Sequence, residues 1–196
     1  MNHGRQSILC LCLLLFPGLV FAHTIGHGIS PFLSGLLHPL FVPAHLISLL
    51  AVGLLLGQQE PNRHLVVLIL FPVAVVLGLA ASDIIVKIKP ELVLLAATLL
   101  VGLLIAANLK ISTFWCAIIT GSVGFMIGLD SSPQIPTVNA FLGTGLGIMV
   151  VPLLSMEFSD YFRRKVWQRI SIRILGSWIA ASMFLVLALS AFSAKI

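Results

Sequence analysis

Residues 31–57 read PFLSGLLHPLFVPAHLISLLAVGLLLG, and this uncharged stretch decides the fold. It is longer than the roughly 20 apolar residues that a membrane-spanning helix needs. Pro39 and Pro43 predict a kink or local unwinding within it. Broken helices are tolerated at membrane depth where they face protein or a cavity, and transporters use them to build binding sites. The stretch therefore predicts a bent first span that carries His38 and His45.

The rest of the chain is equally apolar. Of its 196 residues, 59% are hydrophobic and 9% are charged, whereas a soluble domain has about 25% charged residues. A soluble fold of this size has no interior large enough for so much apolar surface. The composition predicts an all-α, polytopic membrane helix bundle. Polar punctuation divides it into six predicted transmembrane helices: Pro31–Gly57, His64–Ser82, Glu91–Asn108, Thr113–Leu129, Val138–Ser155 and Ile172–Ser193.

Residues 1–22 have the pattern of a secretory signal peptide. Arg5 precedes a short apolar core, Ile8–Phe21, and Ala22 offers a cleavage site before His23. The core is short for a span, so we expect cleavage and a mature six-helix domain of residues 23–196. The alternative is an uncleaved first helix.

The basic residues indicate the orientation. With cleavage and six crossings, the mature N-terminus and the C-terminus both lie on the periplasmic side of a cell inner membrane. The predicted cytoplasmic loops then hold Arg63, Lys110, Arg163, Arg164, Lys165, Arg169 and Arg173, against Lys87, Lys89 and Lys195 outside. This satisfies the positive-inside rule. The net charge of +5 is therefore a topology signal, and we predict no nucleic-acid binding.

The segment 157–171 combines cations with aromatic side chains. This pattern is typical of a helix that lies on the cytoplasmic surface of the lipid bilayer, with its cations near anionic headgroups. We predict such an interfacial helix here, anchoring the topology.

Three glycine pairs recur at a spacing of four residues: Gly53 with Gly57, Gly124 with Gly128, and Gly143 with Gly147. Small residues at this spacing allow close helix packing in lipid. They predict a tight bundle. The spacing leaves open whether each face packs inside the monomer or forms a homo-oligomer.

His38 and His45 are the first candidate metal ligands, because imidazole is the commonest protein ligand for transition metals and a histidine inside a membrane is costly. They are seven residues apart, so they share a face if the helix continues. On a straight helix the rise between them is about 10 Å. Three interpretations stay open: the prolines bring the two rings to one ion, the rings are successive stops on a path, or they only bond to neighbouring helices.

Two further histidines and several acids belong to the predicted outer side. After cleavage, His23 offers its free amine and ring nitrogen to one metal ion, and His27 follows four residues later. The alternative is a solvated, unstructured N-terminus. Three acids predicted at outer helix ends suit a vestibule that attracts cations: Asp83, Glu91 and Asp130. We predict Asp130, at the end of a glycine-rich helix, as a metal ligand, although an acid before Ser-Ser-Pro is also common in turns.

The stretch from Gly35 to His45, followed by the run from Leu49 to Leu54, resembles the first-helix signature of the HupE/UreJ membrane proteins. That signature is a histidine-proline pair, then Asp-His, then an apolar Ala-Val-Gly-Leu run. The chain departs from it at Ala44, where the family usually has aspartate. The resemblance implies a cleaved signal, a histidine near the mature start and uptake of nickel or cobalt. Either Asp130 replaces the missing carboxylate in space, or the chain is a divergent branch with another cargo or none.

These observations together predict a permease for a divalent metal ion of the nickel or cobalt type. The metal is its cargo, and no tightly bound cofactor is expected. No nucleophile or phosphate-binding motif is present in the sequence, so we do not predict an enzyme. Two other classes stay open: a non-transporting membrane assembly or accessory subunit, and a transporter of a small neutral solute.

Overall fold

The computed structural model describes residues 30–59, 64–82, 89–131, 137–163 and 165–193, with the backbone alone for His64, Leu65 and Ser193. The predicted signal peptide (1–22), His23, His27 and Asp83 lie outside these residues. The described part is all-α, as expected, and Pro31–Ile196 forms one compact unit. Its helices are α1 (Pro31–Phe41), α2 (Pro43–Gln58), α3 (His64–Ala81), α4 (Pro90–Ala107), α5 (Thr113–Asp130), α6 (Val138–Tyr161) and α7 (Val166–Ser193).

Four of these helices, α4 to α7, are long and apolar enough to cross a membrane. The helices α1 and α2 pass the same test only as a pair, and Val66–Ala81 of α3 is a shorter apolar helix. The described residues therefore give four candidate spans, or five if the bent pair counts as one.

The predicted first span is broken into two helices whose axes differ by 77°. Pro43 has no N–H to bond the carbonyl oxygen of Pro39, and it disfavours the helical region for the residue before it. Val42 is accordingly extended, with φ −87° and ψ 109°. The kink that we predicted is thus a complete break, and Pro43 begins a new helix at a position where proline is well tolerated.

The helix α2 lies at the centre of the bundle. Every residue from Ala51 to Gln59 is buried, on all sides of the helix. A helix that is hydrophobic all round is expected to be a core helix. The helices α4, α5, α6 and α7 pack around it, so the buried residues of α2 lie inside the protein rather than in lipid.

The glycine pairs are used inside the chain. A Cβ on Gly53 would overlap Ser155 and the carbonyl oxygen of Pro152, and one on Gly57 would overlap Met156 and Ser159 of the same helix, α6. The pair Gly143 and Gly147 packs against α1, and the pair Gly124 and Gly128 packs against α3. These glycine faces therefore pack against other helices of the same chain.

The segment 157–171 is not a separate interfacial helix. Its first residues complete α6, which ends at Tyr161, and its last residues begin α7 at Val166. The prediction was wrong because it ended the helices where the apolar residues end. A helix can continue past its last apolar residue, because its hydrogen bonds join backbone groups. Its polar side chains then reach water or headgroups.

Candidate metal-handling site

His45 and Asp130 meet at one end of the bundle. His45 lies in the first turn of α2 and is completely buried, while Asp130 is the last residue of α5. The His45 Nε2 and the Asp130 Oδ2 are 2.9 Å apart. The Asp130 side chain is 40% exposed, so the pair connects a buried imidazole with the surface. Of the two alternatives for the carboxylate missing at Ala44, the geometry favours replacement by Asp130.

A second contact involves the other ring nitrogen of His45. The buried Ser131 Oγ lies 3.5 Å from the His45 Nδ1. An ionised carboxylate only accepts hydrogen bonds, so we assign the proton to Nε2, which donates to Asp130. The lone pair of Nδ1 then faces the Ser131 hydroxyl. Sequence reasoning missed Ser131, whose only signal is its position after Asp130.

His38 lies beside His45. The two ring centroids are 6.1 Å apart, in an edge-to-face arrangement with an interplanar angle of 69°. His38 is exposed, on the last turn of α1, whereas His45 is buried on the first turn of α2. The break at Val42 places the rings closer than the rise of a straight helix would. The two rings are therefore neighbours in the structure, as the interpretation with prolines bringing them together and the interpretation with successive positions on a path both require.

A buried pair of hydroxyls lies one turn further along α2. The Ser48 Oγ donates to the carbonyl oxygen of Ala44 at 2.6 Å, and the Thr98 Oγ1 on α4 lies 2.6 Å from the Ser48 Oγ. Both side chains are completely buried. Since the Ser48 proton is used on Ala44, Thr98 is the donor to Ser48. Beyond this pair, the buried side chains of α2 are mostly aliphatic and include Leu49, Val52, Leu55 and Leu56.

The remaining predicted ligands do not join this group within the described residues. Glu91 lies in the first turn of α4 and is exposed. No set of three or more His, Cys, Asp or Glu side chains in the described ranges is arranged to hold a metal ion. The site as it stands is a hydrogen-bonded pair, His45 and Asp130, with His38 alongside.

Comparison with known proteins confirms the family that the sequence of the first span resembles. No curated protein and no solved structure matches the chain. The family model described as HupE / UreJ protein matches residues 11–188, which includes every described helix up to the last residues of α7. The chain, a multi-pass membrane protein, belongs to the HupE/UreJ family.

Proposed function

We propose that the protein is an inner-membrane permease for a divalent transition-metal ion, of the nickel or cobalt type. The observation that carries the proposal is the buried His45 imidazole, held by Asp130 and flanked by His38, at the break between two membrane helices. Family membership supports the same role. Ionisable groups inside a membrane protein are costly and mark substrate pathways.

The contacts of His45 suggest how a cation binds. Asp130 fixes the proton on Nε2, which leaves the Nδ1 lone pair as the coordinating atom. An arriving cation replaces the long contact between Nδ1 and Ser131. Asp130 stays on the other nitrogen and fixes the tautomer and orientation of the ring, as second-shell carboxylates do in metal sites. His38 is the first stop, since it is exposed, and His45 is the second.

The charges support an orientation with six crossings and both mature termini in the periplasm. The His45 end is the end of the bundle where α2 begins and α5 ends. The Arg163 end is the opposite end, where α2 and α6 end. Among the described residues, the Arg163 end carries Lys110, Arg163, Lys165, Arg169 and Arg173, and the His45 end carries Lys89. By the positive-inside rule, the Arg163 end is cytoplasmic. The histidines therefore face the periplasm, where His23 and His27 complete the capture of the ion.

Metal accumulation in cells with and without the protein tests this proposal. We expect accumulation of nickel or cobalt above background, measured across a panel that also contains zinc and copper. His38→Ala should lower the initial rate about tenfold, because the exposed stop is lost. A protein that raises no metal above background, at normal expression, would instead be an accessory subunit or a carrier of another solute.

A further inference from the structure

The Arg163 end of α2 holds two glutamines that are almost completely buried. Gln58 is 4% exposed and Gln59 is 1% exposed. The Gln59 amide donates to the carbonyl oxygen of Leu109 at 3.2 Å, and its Oε1 accepts from the N–H of Ile111 at 3.2 Å. Gln59 is thus satisfied by the turn between α4 and α5.

Gln58 is only half satisfied. Its amide donates to the carbonyl oxygen of Ile105 at 3.3 Å, but its Oε1 has no hydrogen-bond partner among the described residues. A buried acceptor without a partner typically costs about 1–3 kcal/mol. Such an atom calls for an explanation, and the neighbouring arginine suggests one.

Arg163 lies in the turn after α6 and covers the last carbonyl oxygens of α2. Its Nη1 donates to the carbonyl oxygens of Gln58 at 2.9 Å and Gln59 at 3.5 Å. Its Nη2 donates to the Asp160 Oδ1 at 2.8 Å. The Arg163 Nε is also buried and has no partner within the described part of the chain. The guanidinium thus lies over the carbonyl oxygens that end α2 without using all of its own hydrogen-bond donors.

The oxygens under Arg163 form an environment that favours cations. Carbonyl oxygens at the end of a helix carry partial negative charge, and Asp160 adds a carboxylate. Gln58, whose backbone carbonyl oxygen accepts from Arg163, also carries the buried Oε1 that has no partner among the described residues. Divalent metal ions accept carbonyl and carboxylate oxygens as ligands. In the structure, the cation that these oxygens hold is the guanidinium of Arg163.

We infer that Arg163 is the inner gate of the transport path. Its guanidinium must leave the carbonyl oxygens of Gln58 and Gln59 before the cargo ion can leave the protein past Gln58 Oε1. The inference rests on the proposed function. About 20 Å of α2, with buried aliphatic side chains, separates this gate from His45. Arg163 covers one end of this stretch, whereas Asp130 and His38 are exposed at the other. A static helix cap is the alternative.

Cysteine accessibility tests the gate without any metal. The reporter is Ser159→Cys, a small change at a completely buried position on α6 next to Gly57, in a background without Cys10, Cys12 and Cys116. Purified protein in nanodiscs, where both faces are open, is treated with a membrane-impermeant thiol reagent. We expect Arg163→Gln to raise the labelling rate about tenfold or more, since hydrogen bonds to a charged group contribute at least this factor.

The control is Arg169→Gln, which removes the same charge from an exposed position on α7 and should leave labelling unchanged. Arg163→Lys keeps the charge but loses the fork geometry, so its rate should lie between the two. If Arg163→Gln does not fold, the labelling rate of Arg163→Lys compared with wild type is the test of the gate. A rate equal to wild type in the folded variant would mean that Arg163 is a static cap, whatever the protein transports.

Gln58→Met supplies the second measurement. A static role predicts unchanged uptake and equal or higher stability, because an unsatisfied buried acceptor is removed. A role in ion exit predicts uptake lowered about tenfold with the Tm unchanged or raised. Unchanged uptake in this variant would remove Gln58 from the path. Wild-type protein without uptake would overturn the proposed function and the ion path over Gln58, while the labelling result would still decide whether Arg163 controls opening.

Discussion

In cells that carry Asp130→Asn, we expect nickel uptake to fall about 10- to 100-fold below wild type. The amide is nearly isosteric and can still accept a hydrogen bond from the His45 Nε2, so the fold should be preserved. It has no negative charge, however, and its amide can also donate a hydrogen bond, so it no longer fixes the ring proton on Nε2. The measurement is the initial rate of nickel accumulation at equal amounts of protein in the membrane.

The matched control is Glu91→Gln, which removes one negative charge from the same end of the bundle at an exposed position. It should keep uptake near wild type. If both variants lose uptake equally, the surface charge of the vestibule matters, and the contact of Asp130 with His45 does not.

A second substitution provides a rescue. Ala44 occupies the position where the family usually has aspartate, directly before His45. Adding Ala44→Asp to Asp130→Asn returns a carboxylate to the neighbourhood of the ring, and we expect uptake to recover by about tenfold. Uptake that stays at the level of the single variant would show that position 44 does not support the same imidazole.

The second large effect is on stability. Gly53→Ala places a methyl group against the carbonyl oxygen of Pro152 and the Ser155 hydroxyl, both on α6. These atoms belong to a helix backbone and a buried side chain, so α2 and α6 must move apart. We expect a loss of about 3 kcal/mol or more in the free energy of unfolding, measured as the midpoint of denaturation of the purified protein by SDS.

Gly145→Ala is the control for this change. Gly145 lies on α6, and a Cβ there would meet nothing within 4 Å. The substitution should leave the protein unchanged or stabilise it by up to about 1 kcal/mol, through the helix propensity of alanine. Equal losses for Gly53→Ala and Gly145→Ala would mean that close packing against α6 does not hold α2 in place.

The sequence was sufficient for the all-α class and for most helix positions, because hydrophobicity and proline act locally, but the described residues give four or five candidate spans where it predicted six. It predicted a disturbed first span, but not the 77° break, since the angle depends on how α1 and α2 each pack on α6. It also ended α6 at Ser155, although the helix continues to Tyr161, and it began α7 at Ile172, although the helix begins at Val166. The pattern of apolar residues reports burial in lipid, whereas a helix continues as long as its backbone bonds are made.

The site was only partly predictable. The spacing of His38 and His45 indicated a shared face, and Asp130 was one of three acids on the expected outer side. Its contact with His45 joins residues 85 positions apart, which one sequence does not encode in any local pattern. The same holds for Thr98 on Ser48 and Arg163 on Gln58. Glycine spacing likewise specified which faces pack closely, but not their partners.

The most direct measurement is nickel accumulation by His45→Ala compared with His64→Ala, at equal membrane levels of the two proteins. Each variant loses one imidazole, but His64 begins α3 at the opposite end of the bundle from Asp130. We predict wild-type uptake for His64→Ala and background uptake for His45→Ala. Wild-type uptake by His45→Ala would contradict the assignment of this buried imidazole as a metal ligand on the transport path.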